Sequence, residues 1–100
     1  MVRFNYNGNT VTAELSGEID HYNASDMRKK IDMTIKERLP EKVILDFEKV
    51  SFMDSSGIGL VIGRYRLIDN LGGKIIIRNV SSQIRKIMKM SGIEKIAEII

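Results

Sequence analysis

The sequence has no cysteine and no tryptophan, a single histidine, a single proline, and only three tyrosines and three phenylalanines. Without cysteine there are no disulfides, no thiolate metal sites and no cysteine nucleophile, and His21 alone leaves little from which to build a metal centre. No metal and no cofactor are therefore expected. No stretch approaches the roughly 18 to 20 apolar residues of a membrane-spanning helix, and the N-terminus has no long apolar run of the signal-peptide kind, so a cytoplasmic protein without membrane contact is the expectation. A dominant charge is missing too. Sixteen Lys and Arg stand against 13 Asp and Glu, a formal net charge of +3. The two signs alternate along residues 28–37 and 85–98, as on solvated helix faces, and Arg28-Lys29-Lys30 is too short a basic word to imply nucleic acid.

What is present is an ordinary globular composition, 43% hydrophobic and 29% charged over 100 residues, enough for one core and one domain spanning residues 1–100. Val2 to Tyr6 reads as a strand and Asn7-Gly8 as a two-residue hairpin turn. From Thr10 to Ser16, Val11, Ala13 and Leu15 alternate with polar residues, which predicts a half-buried antiparallel strand. Gly17 to Tyr22 reads as a loop, with Asn23 capping a helix and Asp26 completing an imperfect capping box. Ala24, Met27, Ile31 and Ile35 form the buried stripe of that helix, and Pro40 stops it after Leu39.

Val43 to Phe47 is a short apolar run suited to a central strand covered on both faces, followed by a loop from Glu48 to Met53. A helix then opens at Asp54, carries Ile58, Leu60, Val61 and Ile62, and ends at Gly72 in a left-handed cap. Lys74 to Arg78 reads as a second buried strand. Ser81 or Ser82 caps a helix with Ile84, Ile87 and Met88 inward, and Gly92 ends it. Ile93 to Ile100 suits either a helix or an edge strand. The resulting fold class is α/β: an N-terminal hairpin, then alternating strands and helices with right-handed crossovers in a mostly parallel mixed sheet.

The stretch from Val50 to Leu60 organises the rest. Asp54 is placed to cap the helix, its carboxylate accepting first-turn N–H groups and complementing the helix dipole. Ser55 and Ser56 then stand exposed at the helix start. Gly57 and Gly59 in the first two turns each cost on the order of 1 kcal/mol relative to alanine, which implies a close approach by a neighbouring element or a partner. Taken by themselves, Asp54, Ser55 and Ser56 are better explained by simple capping. The glycines do not make a dinucleotide loop: the third glycine of that fingerprint would fall at Ile62, the strand would have to lead straight into it, and no acid follows at the required distance. Nor is Ser56 in a nucleophile elbow, because Asp54 and Ser55 precede it where a glycine would stand; a triad with His21 and Asp20 is disfavoured.

Phe52-Met53-Asp54-Ser55-Ser56-Gly57-Ile58-Gly59, continued through Tyr65, resembles the phosphorylation-site segment of anti-sigma factor antagonists of the STAS domain family, closest to the sporulation (sigma-F) branch. Gly17-Glu18-Ile19-Asp20-His21, Leu71-Gly72-Gly73 and Met90-Ser91-Gly92-Ile93 extend the resemblance over almost the whole chain. It favours a strand at the C-terminal end, and implies a further C-terminal helix that these residues do not include. It implies a protein that is not an enzyme, whose unphosphorylated form binds an anti-sigma factor that is also a serine kinase, and so releases a sigma factor. Phosphorylation of Ser56 would switch it off and a serine phosphatase would reset it. The partner-binding surface so implied comprises Asp20, His21, Tyr22, Asn23, Met53, Asp54, Ser55, Ser56, Gly57, Ile58 and Gly59, with Tyr22 and Met53 either apolar anchors or core. Two other readings stand beside it: a nucleotide-binding member of the same family, and a small DNA-binding protein whose residues 83–100 imitate a helix-turn-helix. The latter would offer Glu94, Lys95 and Glu98, without the side chains that read bases best.

Overall fold

A computed structural model describes residues 1–100. Five strands form one sheet in sequence order: β1 (Val2–Asn7), β2 (Thr10–Ile19), β3 (Lys42–Met53), β4 (Lys74–Arg78) and β5 (Glu98–Ile99). The first pair is antiparallel and every other pair parallel. Helices α1 (His21–Arg38), α2 (Ser55–Asn70) and α3 (Ser82–Met90) form the crossovers. The hairpin turn lies one residue later than expected. Asn7 pairs with Thr10, so Gly8 and Asn9 turn the chain, with Gly8 at φ +60° in the first central position.

Register explains where the core lies. Val11, Val43 and Ile75 are aligned across three strands, as are Ala13, Leu45 and Ile77. These residues are buried, and all but Val11 join α1, α2 and α3 residues in one cluster that includes Met27, Ile31, Ile35, Leu60, Val61, Ile68, Ile84 and Met88. The helices therefore cover a single face. The alternate row, Thr12, Ile44, Ile76 and Glu98, faces away and is only half-buried or exposed, which corrects the expectation of a central strand covered on both faces.

The parallel pair β2 and β3 runs further than expected. Residues 17–19 and 48–53, anticipated as loops, continue both strands, with register shifts between Glu14 and Ser16 and between Gly17 and Glu18. Each shift inserts an extra residue in β3, so its buried side chains fall at Phe47, Val50 and Met53, three apart. A strand pattern of period two is lost there. Gly17, at φ +84°, adopts the backbone that this irregularity requires.

The helix ends follow local chemistry. Leu39, in the left-handed region before Pro40, closes α1 by donating its N–H to Ile35 at 2.8 Å. Gly72 at φ +78° and the 2.8 Å bond from the Gly73 N–H to the Ile68 carbonyl close α2 in a Schellman arrangement. Ser81 caps α3 through the Ile84 N–H. Past Gly92 the chain makes only a three-residue 3-10 turn, Ile93–Lys95, before β5. Ile93 is fully buried. This overturns the helix-turn-helix reading, because no recognition helix follows the turn. None of the helices is long and apolar enough to cross a membrane.

Candidate functional site

Parallel pairing brings two helix starts together. Ile19 is in register with Met53, and the Asp54 N–H donates to the Ile19 carbonyl at 3.2 Å. The next residue of each strand is an aspartate that caps a helix. Asp20 Oδ1 accepts from the Asn23 N–H at 2.9 Å, and Asp54 Oδ1 accepts from the Ser56 N–H at 2.7 Å. Asn23 is thus not the cap. It lies in the first turn of α1, where its side-chain amide donates to the Glu18 carbonyl at 3.0 Å, while Asp26 pairs with Lys30 instead of completing a capping box. The two N-termini open side by side at the carboxyl end of the sheet, the edge where α/β proteins place binding sites.

Between α1 and α2 lies an open cleft of about 390 Å³, lined by His21, Ala24, Ser25 and Arg28 from one helix and Ser56, Gly59 and Leu60 from the other. Ser56 is half-buried at its mouth, whereas Ser55 is exposed, a correction to the picture of two equally exposed hydroxyls. The glycines separate in role. A Cβ on Gly57 would run into the Met53 side chain, so this glycine seats α2 on the end of β3. A Cβ on Gly59 would meet nothing within 4 Å, so Gly59 leaves the cleft wall low.

The apolar candidates divide as well. Tyr22 is 88% exposed, but Met53 is only 3% exposed and belongs to the core, and Gly57 is buried above it. Neither Met53 nor Gly57 can meet a partner directly. On the other flank of α2 a shallow depression of about 420 Å³ brings Asp54, Ser55 and Ile58 together with Ile87, Met90 and Ser91 of the α3 end. Met90, 82% exposed, and Phe52, 50% exposed, are accessible apolar groups that reading the residues in order did not single out. Arg28 was missed too. Its signal lay in helical spacing: His21, Ser25 and Arg28 fall at i, i+4 and i+7 and share a face.

The strand that leads straight into Asp54 removes one objection to a dinucleotide loop, since no long connection intervenes. The other two stand, and Gly57 and Gly59 lie inside α2, with Gly57 packed on Met53. Two buried charges complete the electrostatics. Arg64 on α2 is 6% exposed, with its Nε 2.7 Å from Asp32 Oδ1 but outside hydrogen-bond alignment. Burial lowers the pKa of its guanidinium, Asp32 counters this, and Arg28 lowers it further. Asp46, on β3, accepts from the Glu48 N–H, the Asn79 amide and Arg78 Nε at 3.0 to 3.1 Å. Burial alone would raise its pKa, but these donors and the Arg78 charge outweigh burial and hold it below the usual value.

The sequence matches the STAS domain over residues 2–100. This chain belongs to the STAS domain family. The STAS domain here is 34% identical over 98 residues to the anti-sigma F factor antagonist of Paenibacillus polymyxa, covering 98% of this chain and 84% of that one. It is 40% identical over 84 residues to the anti-sigma F factor antagonist of Lysinibacillus sphaericus, covering 84% of this chain and 72% of the other. Among solved structures it resembles the anti-sigma factor antagonist SpoIIAA in its unphosphorylated form, with a TM-score of 0.86 at 35% identity, covering 100% of this chain and 88% of that one. The phosphorylated form of SpoIIAA gives 0.78 at 35% identity, covering 100% and 91%. The STAS fold and the relation to anti-sigma factor antagonists, regulatory binding proteins, are thereby established, and nothing in these relations favours DNA binding.

Proposed function

We propose that this STAS domain is an anti-sigma factor antagonist whose unphosphorylated form binds an anti-sigma factor and so frees a sigma factor to join RNA polymerase. The partner is also the serine kinase that phosphorylates Ser56, a separate phosphatase reverses the modification, and the domain itself catalyses nothing. It acts in the cytoplasm, where RNA polymerase is. The observation that supports this most is the juxtaposition of the Asp20 and Asp54 caps beside Ser56, in a chain about one-third identical to antagonists of this kind.

The docking surface joins Asp20 and residues 21–23 of α1 with Asp54 and with Ser55, Ser56, Ile58 and Gly59 of α2. Tyr22 and Ile58 supply the apolar contacts, while Met53 and Gly57 support the surface from beneath. A phosphate on Ser56 adds about −1.5 to −2 charges beside Asp54. The first turn of a helix tolerates such a group, so the fold survives and the penalty falls on the interface.

The test mixes the chain with an anti-sigma factor of the same organism, with ATP or ADP, and follows complex formation and phosphate incorporation. Ser56→Ala should bind constitutively and take up no phosphate. Ser56→Asp should bind less well, and Ser55→Ala should still be phosphorylated. Asp20→Lys should weaken binding with the fold intact. Phosphate found on Ser55 instead of Ser56, or full-strength binding by the phosphorylated form, would overturn the assignment.

A further inference from the structure

The cleft beside Ser56 does not end at Arg28. That side chain also borders a second depression along the same two helices, of about 450 Å³, lined with Lys29, Asp32, Met33, Lys36 and Arg64. Four cations thus share the groove with one acid, and the charge of Asp32 is already engaged by Arg64. None of the ion pairs in the molecule involves Arg28, Lys29 or Lys36. Nη1 of Arg64 is buried without an acceptor, and Arg28 lies near enough to Arg64 for their like charges to oppose each other. The groove therefore holds uncompensated positive charge, and the cleft that Arg28 joins to it carries the hydroxyls of Ser56 on α2 and Ser25 on α1.

We propose that the α1–α2 cleft is a phosphate site in cis, in which the phosphoryl group carried by Ser56 is received by the Arg28 guanidinium, with His21 on its flank. A guanidinium offers a planar set of donors that matches phosphate oxygens. The absence of a side chain at Gly59 leaves the opposite wall clear for the group. The acids at this end, Asp20 and Asp54, each spend one carboxylate oxygen on a first-turn N–H, and they oppose the phosphate while His21 and Arg28 attract it. Phosphorylation then does two things together. It places charge at the mouth of the cleft, and it draws that charge down over the α1 wall, so that the cleft is filled as well as repelling.

This inference rests on Ser56 as the phosphorylated residue, so its test avoids the kinase. Phosphoserine is installed at position 56 by site-specific incorporation, and its phosphorus resonance is followed against pH. In the otherwise unchanged chain the second pKa should lie below the ordinary value of about 6, and in Arg28→Ala it should rise toward that value. Arg28→Lys should restore part of the difference. Lys30→Ala, which removes a cation paired to Asp26, should titrate like the unchanged chain. The Arg28 Nε–H resonance should also shift between the unmodified and phosphorylated chains. Identical titrations in the unchanged chain and Arg28→Ala, an equal change in Lys30→Ala, or an unmoved Arg28 signal would overturn the proposal. Failure of the anti-sigma factor to bind would count against the proposed function and leave this result standing.

Discussion

Strand β3 and its exit carry two aspartates eight residues apart that make the same local bond, each accepting the N–H of the residue two further on. Their surroundings make them opposites. Asp46 is 7% exposed and accepts further bonds from Arg78 at the end of β4 and from Asn79 just beyond it, so it ties two strands together. Asp54 accepts a single side-chain hydrogen bond, from the Ser56 N–H, stays half-exposed, and borders the apolar depression at Ile58 and Met90. One carboxylate is closed into the architecture. The other leaves a helix start open to a partner, and what decides between them is whether a neighbouring strand supplies further donors, as Asn79 does to Oδ1 and Arg78 to Oδ2 of Asp46.

The sharpest way to break this contrast is to remove each carboxylate in turn. Asp46→Ala leaves the Glu48 N–H and the Asn79 amide unanswered and Arg78 without its counter-charge, a loss of about 3 kcal/mol of stability with unchanged partner affinity in the folded fraction. Urea unfolding alongside a binding titration measures both. Asp54→Ala should cost only about 1 kcal/mol, the usual value of a cap, yet weaken partner binding. If the two variants lost binding in proportion to stability, the contrast would collapse.

The two glycines offer a second comparison. Gly57→Ala drives a methyl group against Met53 and should destabilise by about 1 to 3 kcal/mol, because a packed core resists added volume. Gly59→Ala has open space and should instead raise stability by up to about 1 kcal/mol through helix propensity, while weakening binding by raising the cleft wall. Thermal melts of the pair should move in opposite directions. A destabilised Gly59→Ala would mean that the cleft is less open than its lining indicates.

The smallest effect is in acid. The folded-state pKa of Asp46 lies below its unfolded value near 3.9, so its contribution is fully present above that value and is lost as pH falls through the folded pKa. Asp46→Asn should flatten the stability profile only below about pH 4 and leave the slope between pH 5 and 8 unchanged. Acid titration of the unfolding midpoint reads this directly.

Much of the molecule was legible in local pattern. The Asp54 cap, the stripe Ala24, Met27, Ile31 and Ile35, the left-handed stop at Gly72 and the strand Lys74–Arg78 all follow from side-chain chemistry within one or two turns, and they stand where the residues placed them. The helix start at Asp54-Ser55-Ser56-Gly57 was legible for the same reason, because a cap is a local event, whereas the candidate site there was suggested by the family resemblance. What the residues alone did not decide was every feature set by pairing between distant segments. Residues 48–53 became strand because β2 lies beside them, and the bulges that accommodate the pair erased the alternation that would have announced it. One face of the sheet stayed open because all three helices pack on the other, although Ile44 and Ile76 are apolar enough to suggest cover. Asp20 displaced Asn23 as the cap because β2 continued to Ile19 and delivered the aspartate to the helix start. Arg28 came to share a cleft with Ser56, and Arg64 came to be buried against Asp32, only once α1 lay along α2. Local sequence determines propensity, caps and spacing, which are short-range energies; register and helix packing are sums over distant contacts, and those belong to the tertiary structure.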